Sequence, residues 1–161
     1  MTPEQLRTLF EYHDDITAKV RQCADELPDD LYFKPLDYSI GGIHHQLVHM
    51  MGAEQIWFSR LQGQSPTAIV SPASIPTRDA LTVAWGAVKA QQWGYLNTVT
   101  AEALAENRHY TSTEGEPFVS PTWGILLHVI NHATDHRAQI LAMIHTLGGR
   151  TIPQDFITYI R

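Results

Sequence analysis

The segment TWGILLHVINHATDHRAQILAMIHTLGG, residues 122–149, decides how the rest of the chain is read. Ile125, Val129, His132, His136, Ile140, Met143 and Leu147 recur at steps of three or four, which is the buried stripe of an amphipathic helix. Ser120-Pro121 supplies a cap and a first-turn proline, and Gly148-Gly149 a stop, so the spacing predicts a helix over 121–147. On a wheel of about 100° per residue, His136 lies near the stripe centre, about 40° from His132, and His128 falls about 40° to the other side, on the flank. Two inward imidazoles one turn apart have metal-ligand geometry. A third donor must come from elsewhere.

Upstream, HHQLVHMMGAEQIW (44–57) reads as a second helix, expected over 40–61 with Ser39 as cap and Gly63 beyond its end. His49 aligns with Ala53 and Ile56 and faces inward, whereas His45 lies toward a flank and His44 is expected in solvent. A first helix over 3–26 carries Leu6, Leu9, His13, Ile16, Val20, Cys23 and Leu27 in its seam, with Thr2 and Gln5 forming a capping box around Pro3. Thr77 is the expected cap of a helix over 78–103 with Leu81, Trp85, Val88, Gln92, Tyr95 and Val99 on one face. RHYTSTEGEPFVS (108–120) alternates weakly about Glu114-Gly115 and predicts a short β-hairpin; the tail should pack Phe156 and Tyr159 down in a strand or helical turn. The expected fold is all-α: a four-helix bundle in one domain spanning 1–161, with long connections at 28–42, 62–77 and 104–120 and a hairpin before the last helix.

Composition narrows the function classes. The chain has 161 residues, 43% hydrophobic and 17% charged, which is ordinary for a globular protein. Net charge is −6, with no Lys/Arg cluster, so a nucleic-acid partner is not expected. No apolar run is long enough for a membrane span and no signal-like N-terminus is present, which predicts a cytoplasmic protein without a membrane partner. The single cysteine, Cys23, cannot make an internal disulfide or a thiolate zinc site. Any metal must therefore sit on nitrogen or oxygen.

His132, His136 and His49 can hold a first-row divalent ion through neutral nitrogens, leaving its charge unquenched and positions open, as in catalytic rather than structural sites. Zinc, nickel, iron and copper all suit that donor set. One helical histidine is more often packed or solvated than ligating. Two on a core seam and a third on another core helix change that balance, because each buried imidazole needs a partner. His13 can line the same cavity as an extra or supporting group, or simply bond a carbonyl. Glu54 and Asp135 flank the candidates and can orient an imidazole, although solvated carboxylates are the simpler reading of each alone. His109 and His145 read as surface residues. Glu106-x-x-His109 has no second copy, so a di-iron centre is not supported, and no HExxH, phosphate-loop, nucleophile-elbow or dinucleotide motif occurs.

SIGGIHHQLVHMMGAEQIW, HVINHATDHRAQI, the hairpin-like TSTEGEPFVSPTWGIL and the closing PQDFITYIR together resemble the DinB/YfiT-like superfamily of bacterial metal-binding four-helix bundles, over nearly the whole chain. The resemblance implies His49, His132 and His136 as ligands and His128 as a frequent non-ligand histidine. Ala138 departs from a common glycine, and His13 from a common asparagine that would shape the pocket. It further implies zinc or nickel and a homodimer. Relatives include thiol-dependent transferases and isomerases, so the expected activity is a metal-dependent transferase acting on a small molecule with a low-molecular-weight thiol. A metal-dependent hydrolase using His13 or Glu54 as acid or base, and a noncatalytic metal- or ligand-binding stress protein, stand as alternatives.

Overall fold

The computed structural model describes residues 1–161. In chain order the elements are α1 (Pro3–Asp25), α2 (Asp29–Tyr32), α3 (Ile43–Leu61), a 3-10 turn at Pro72–Ser74, α4 (Arg78–Leu96), α5 (Ala101–Ala105), β1 (Asn107–Thr111), β2 (Pro117–Pro121), α6 (Thr122–Thr146) and α7 (Phe156–Tyr159). The four long helices α1, α3, α4 and α6 form the bundle. α1 and α3 each pack against both α4 and α6, so α1 and α3 face each other across a diagonal, as do α4 and α6. The long connections make these diagonal crossings possible, and a simple up-down order of neighbours is not adopted.

Local signals account for most boundaries. Thr2 Oγ1 accepts from the Gln5 amide while Gln5 Oε1 accepts from the Thr2 amide, completing the expected capping box. Thr77 caps α4 through the Ala80 amide, as its sequence predicts. The helix expected over 78–103 instead ends at Leu96, and after Asn97–Thr100 the chain restarts as α5 with Thr100 accepting from the Ala103 amide. The β-branched run Thr98-Val99-Thr100 explains the break: Thr100 caps better than it propagates. Ser39 is not a cap. It holds a left-handed φ of 52°, and α3 begins three residues later than expected with Gly42 at its N-cap. A Cβ at Gly42 would sit 2.2 Å from the Lys34 carbonyl oxygen, so only glycine admits the connector there.

The hairpin is present, with Asn107 opposite Pro121 and Thr111 opposite Pro117, and Gly115 supplies a φ of 88° at its turn. It runs straight into α6, so Ser120 belongs to β2 and Pro121 stands at the N-cap without a side-chain bond. Thr122 satisfies that junction by donating its amide and its hydroxyl to the Glu106 carbonyl, at 2.9 and 3.0 Å. At the other end the tail closes over α1, with Phe156 and Tyr159 packed edge-on against Tyr12. No helix is long and apolar enough to cross a membrane.

A polar layer divides the core. One apolar cluster gathers Val20, Cys23, Leu47, Met51, Trp85, Ile140 and Ile144, and a second gathers Leu6, Phe10, Phe58, Leu96, Ile125 and Val129. Between them, His13 and Glu54 bond across the bundle diagonal, Nε2 to Oε1 at 3.1 Å, and Glu54 Oε2 accepts from Trp85 Nε1 at 2.8 Å. Arg137 donates to His13 Nδ1 (3.0 Å), Thr17 Oγ1 (3.2 Å), Thr134 Oγ1 (2.8 Å) and Gln154 Oε1 (3.1 Å). His13, Glu54 and Arg137 are 1%, 2% and 0% exposed, so the carboxylate and guanidinium are bridged by an imidazole with almost no water present. Burial pushes the Arg137 guanidinium down, and Tyr12 and Glu54 pull it back.

Breaking this layer should cost more than replacing it. Glu54→Gln keeps the shape but leaves Arg137 without a counter-charge, and urea unfolding should show a loss of about 3 to 5 kcal/mol. Glu54→Met with Arg137→Met should recover most of that loss, whereas additive losses would show that the two groups are not coupled.

Candidate metal centre

His49 on α3 and His132 and His136 on α6 point into one space between the two helices. His132 Nε2 lies 3.2 Å from His49 Nε2 and 3.1 Å from His136 Nε2, and the potential donor atoms of all three lie within 4.8 Å of one another. Two nitrogens each at ~2.1 Å from one ion stand about 3.0 Å apart at a right angle and about 3.4 Å apart at the tetrahedral angle. The His132–His49 and His132–His136 separations fall in that interval. The protein alone satisfies these atoms poorly, since a single proton on His132 Nε2 can serve only one of its two neighbours. A cation on the three lone pairs would satisfy all of them, so the residues fit a divalent metal.

The electrostatics favour the neutral, ligating form. Burial pushes His132 down to about 3, with His136, His49 and His128 adding to the shift. His49 is lowered by burial and then by His136; His136 is lowered by burial, with Asp135 opposing. No carboxylate or thiolate joins the cluster.

Only His136 has its outer nitrogen held by a partner. Its Nδ1 donates to Gln46 Oε1 at 2.5 Å; Gln46 Nε2 donates to Gln139 Oε1 at 3.1 Å, and Gln139 Nε2 to Asp135 Oδ2 at 3.0 Å. Sequence reasoning missed Gln46 and Gln139. Gln46 is three residues before His49 on the same helix face, and that spacing was the available signal. Asp135 stays exposed yet reaches His136 through two amides.

The other histidines are placed elsewhere. His128 lies on the flank, its ring 5.7 Å from that of His132 and edge-on to Trp57 at 4.9 Å. His45, His109 and His145 are exposed. His13 is not in the trio, and Glu54 and Arg137 occupy both of its ring nitrogens. Glu54 is buried in the polar layer rather than solvated. His44 also corrects its expectation: it is 6% exposed, with Nε2 bonded to the Ile75 carbonyl at 2.7 Å. The wheel assumed that α3 has an outer face. In fact 15 of its 19 residues are buried, because the 62–77 connection crosses it so closely that a Cβ at Gly52 would lie 2.7 Å from Ile69 Cγ1.

The model of the DinB family matches residues 1–161. The fold is also similar to the crystal structure of a DinB-like protein from Bacillus cereus ATCC 10987, with a TM-score of 0.62 over 94% of this chain and 96% of that one. At 16% identity that likeness speaks for the fold alone. No curated protein matches the chain.

The lowered histidines set a pH dependence for the metal-free protein. Protons bind the unfolded imidazoles near their ordinary value of about 6.5 before they bind the folded ones, so stability falls as pH drops from there toward about 3. Each such histidine contributes a slope of up to about 1.4 kcal/mol per pH unit. Urea unfolding at neutral and mildly acid pH should show this slope, and His132→Gln should flatten it. An unchanged slope in that variant would remove His132 as a cause.

Proposed function

This chain belongs to the DinB family, and on that premise we propose that it is a metal-dependent enzyme, a thiol-dependent transferase holding a divalent ion on His49, His132 and His136. The carrying observation is the convergence of three imidazoles from two helices, with His132 Nε2 at an ion-bridging separation from each of the other two and no anionic ligand. An ion held there keeps its full charge and, as a Lewis acid, favours the anion of a thiol or of water. Neutral nitrogen donors suit zinc or nickel first, and iron or copper by the same donor rule.

The surroundings support a small-molecule substrate. A cleft of about 420 Å³ is lined by Gly124, Leu127, His128, Ile130, Asn131 and Thr134, and the His128 ring lies 5.7 Å from that of His132. Burial, with Arg60 nearby, lowers His128, which favours its neutral imidazole beside the cleft. Trp57, stacked by the Arg60 guanidinium at 4.6 Å, gives that side an aromatic wall. A homodimer is part of the same proposal. It is supported by a cleft of about 480 Å³ whose lining residues, Met1, Ala101, Leu104, Ala105, Trp123 and Leu127, are all hydrophobic.

Purified protein should carry stoichiometric zinc or nickel, and His132→Ala should abolish it; unchanged uptake in that variant would overturn the ligand assignment. Metal-loaded protein given an electrophile and a panel of low-molecular-weight thiols should turn over only with thiol. Turnover in water alone would make it a hydrolase, and metal binding without turnover a noncatalytic binder. Sedimentation should find a dimer that Leu127→Glu dissociates.

A further inference from the structure

We infer that Asp135, an exposed carboxylate, dictates which nitrogen of the buried His136 ring carries the proton, acting through Gln139 and Gln46 as positioning residues. This deepens the metal reading above and rests on it for its consequence, though not for its mechanism.

Hydrogen-bond direction along this chain decides the tautomer. An amide side chain can be reversed, exchanging donor for acceptor, so a lone Gln46 beside His136 would bond either tautomer: Oε1 to a protonated Nδ1, or Nε2 to a bare one. The chain of bonds removes that freedom. An ionised carboxylate only accepts, so Asp135 Oδ2, at 3.0 Å, demands the NH2 of Gln139. That turns Gln139 Oε1 toward α3, where it demands the NH2 of Gln46 at 3.1 Å. Gln46 Oε1 is then the atom left facing His136, and at 2.5 Å it demands a proton on Nδ1. The lone pair is left on Nε2, the atom 3.1 Å from His132 Nε2.

Each link is polarised in the same sense, which strengthens the inner bonds. The geometry also suits the task. Asp135 and Gln139 are one turn apart on α6, Gln46 is fully buried on α3, and so the relay spans the same two helices that carry the trio. Gln46 shields the inner bond from water, while the outermost bond is exposed and therefore the weakest. Reversing the charge at the outer end reverses the demand. A lysine at 135 would donate to Gln139 Oε1, Gln139 would donate to Gln46 Oε1, and Gln46 would donate to a bare Nδ1, placing the proton on Nε2 where a metal must bind.

The test uses the full chain with Asp135→Lys and Gln139→Leu. Gln139→Leu interrupts the relay while keeping the Asp135 charge; both positions lie outside the fully buried core, and circular dichroism checks folding. Proton–nitrogen correlation spectra of the metal-free protein, at mildly alkaline pH, should show His136 as the Nδ1–H tautomer in the parent. They should show a mixture in Gln139→Leu and mainly Nε2–H in Asp135→Lys. Chelator competition with zinc should show affinity weakened about tenfold in Gln139→Leu and up to about a hundredfold in Asp135→Lys. A tautomer that ignores both substitutions overturns the relay even if zinc binds. A tautomer that responds while the parent takes up no zinc leaves the relay standing and overturns the metal reading instead.

Discussion

The bundle depends on one buried interaction, the bridge from the Arg137 guanidinium through His13 to the Glu54 carboxylate. A carboxylate and a guanidinium cannot enter an apolar core unaccompanied, because each loses several kcal/mol of hydration. Here polar groups from four segments are recruited: Trp85 from α4, Thr17 from α1, Thr134 from α6 and Gln154 from the tail. All four long helices therefore meet at one level, and sliding any of them would strand a charge. Apolar packing on either side provides the bulk of the burial but tolerates many registers. The polar layer admits one.

That constraint reaches the candidate metal centre through chain neighbours. Arg137 follows His136 on α6, and Glu54 is five residues beyond His49 on α3. Fixing the first pair of residues in register fixes the second pair across the same interface. The Asp135–Gln139–Gln46 chain adds a second tie between α3 and α6, directed at His136 itself. The trio thus stands on two rigid helices rather than on loops, which is what preorganised ligands require. The hairpin and the tail close the bundle without contributing a ligand.

Much of this was legible in the sequence because helical periodicity is a local property. The seams of α1 and α6, the caps Thr2 and Thr77 and the Glu114-Gly115 turn depend on residues within a few positions of one another. The same periodicity put His49, His132 and His136 inward and His128 on the flank, where the structure has them. Resemblance to DinB-like proteins pointed to the same three residues by another route. Ser39, Ser120, His44 and Glu54 depart from their expected places for one reason: the periodicity of a single helix carries nothing about the segments that cross it. Ser39 lost its role to the close pass of Lys34 over Gly42, and Ser120 to a hairpin that feeds directly into α6.

By itself the sequence determined that four amphipathic helices form, which faces they bury, and that three inward histidines stand on two of them. Those are consequences of backbone geometry and side-chain hydrophobicity within single segments. Only the tertiary structure decided that α1 faces α3 across the diagonal, that His13 bridges a buried ion pair instead of joining the trio, and that a surface aspartate reaches His136 through two glutamines. These contacts join residues 41, 124, 90 and 93 positions apart. At such separations no local period correlates the partners, and the cost of leaving a buried polar group unpaired selects them.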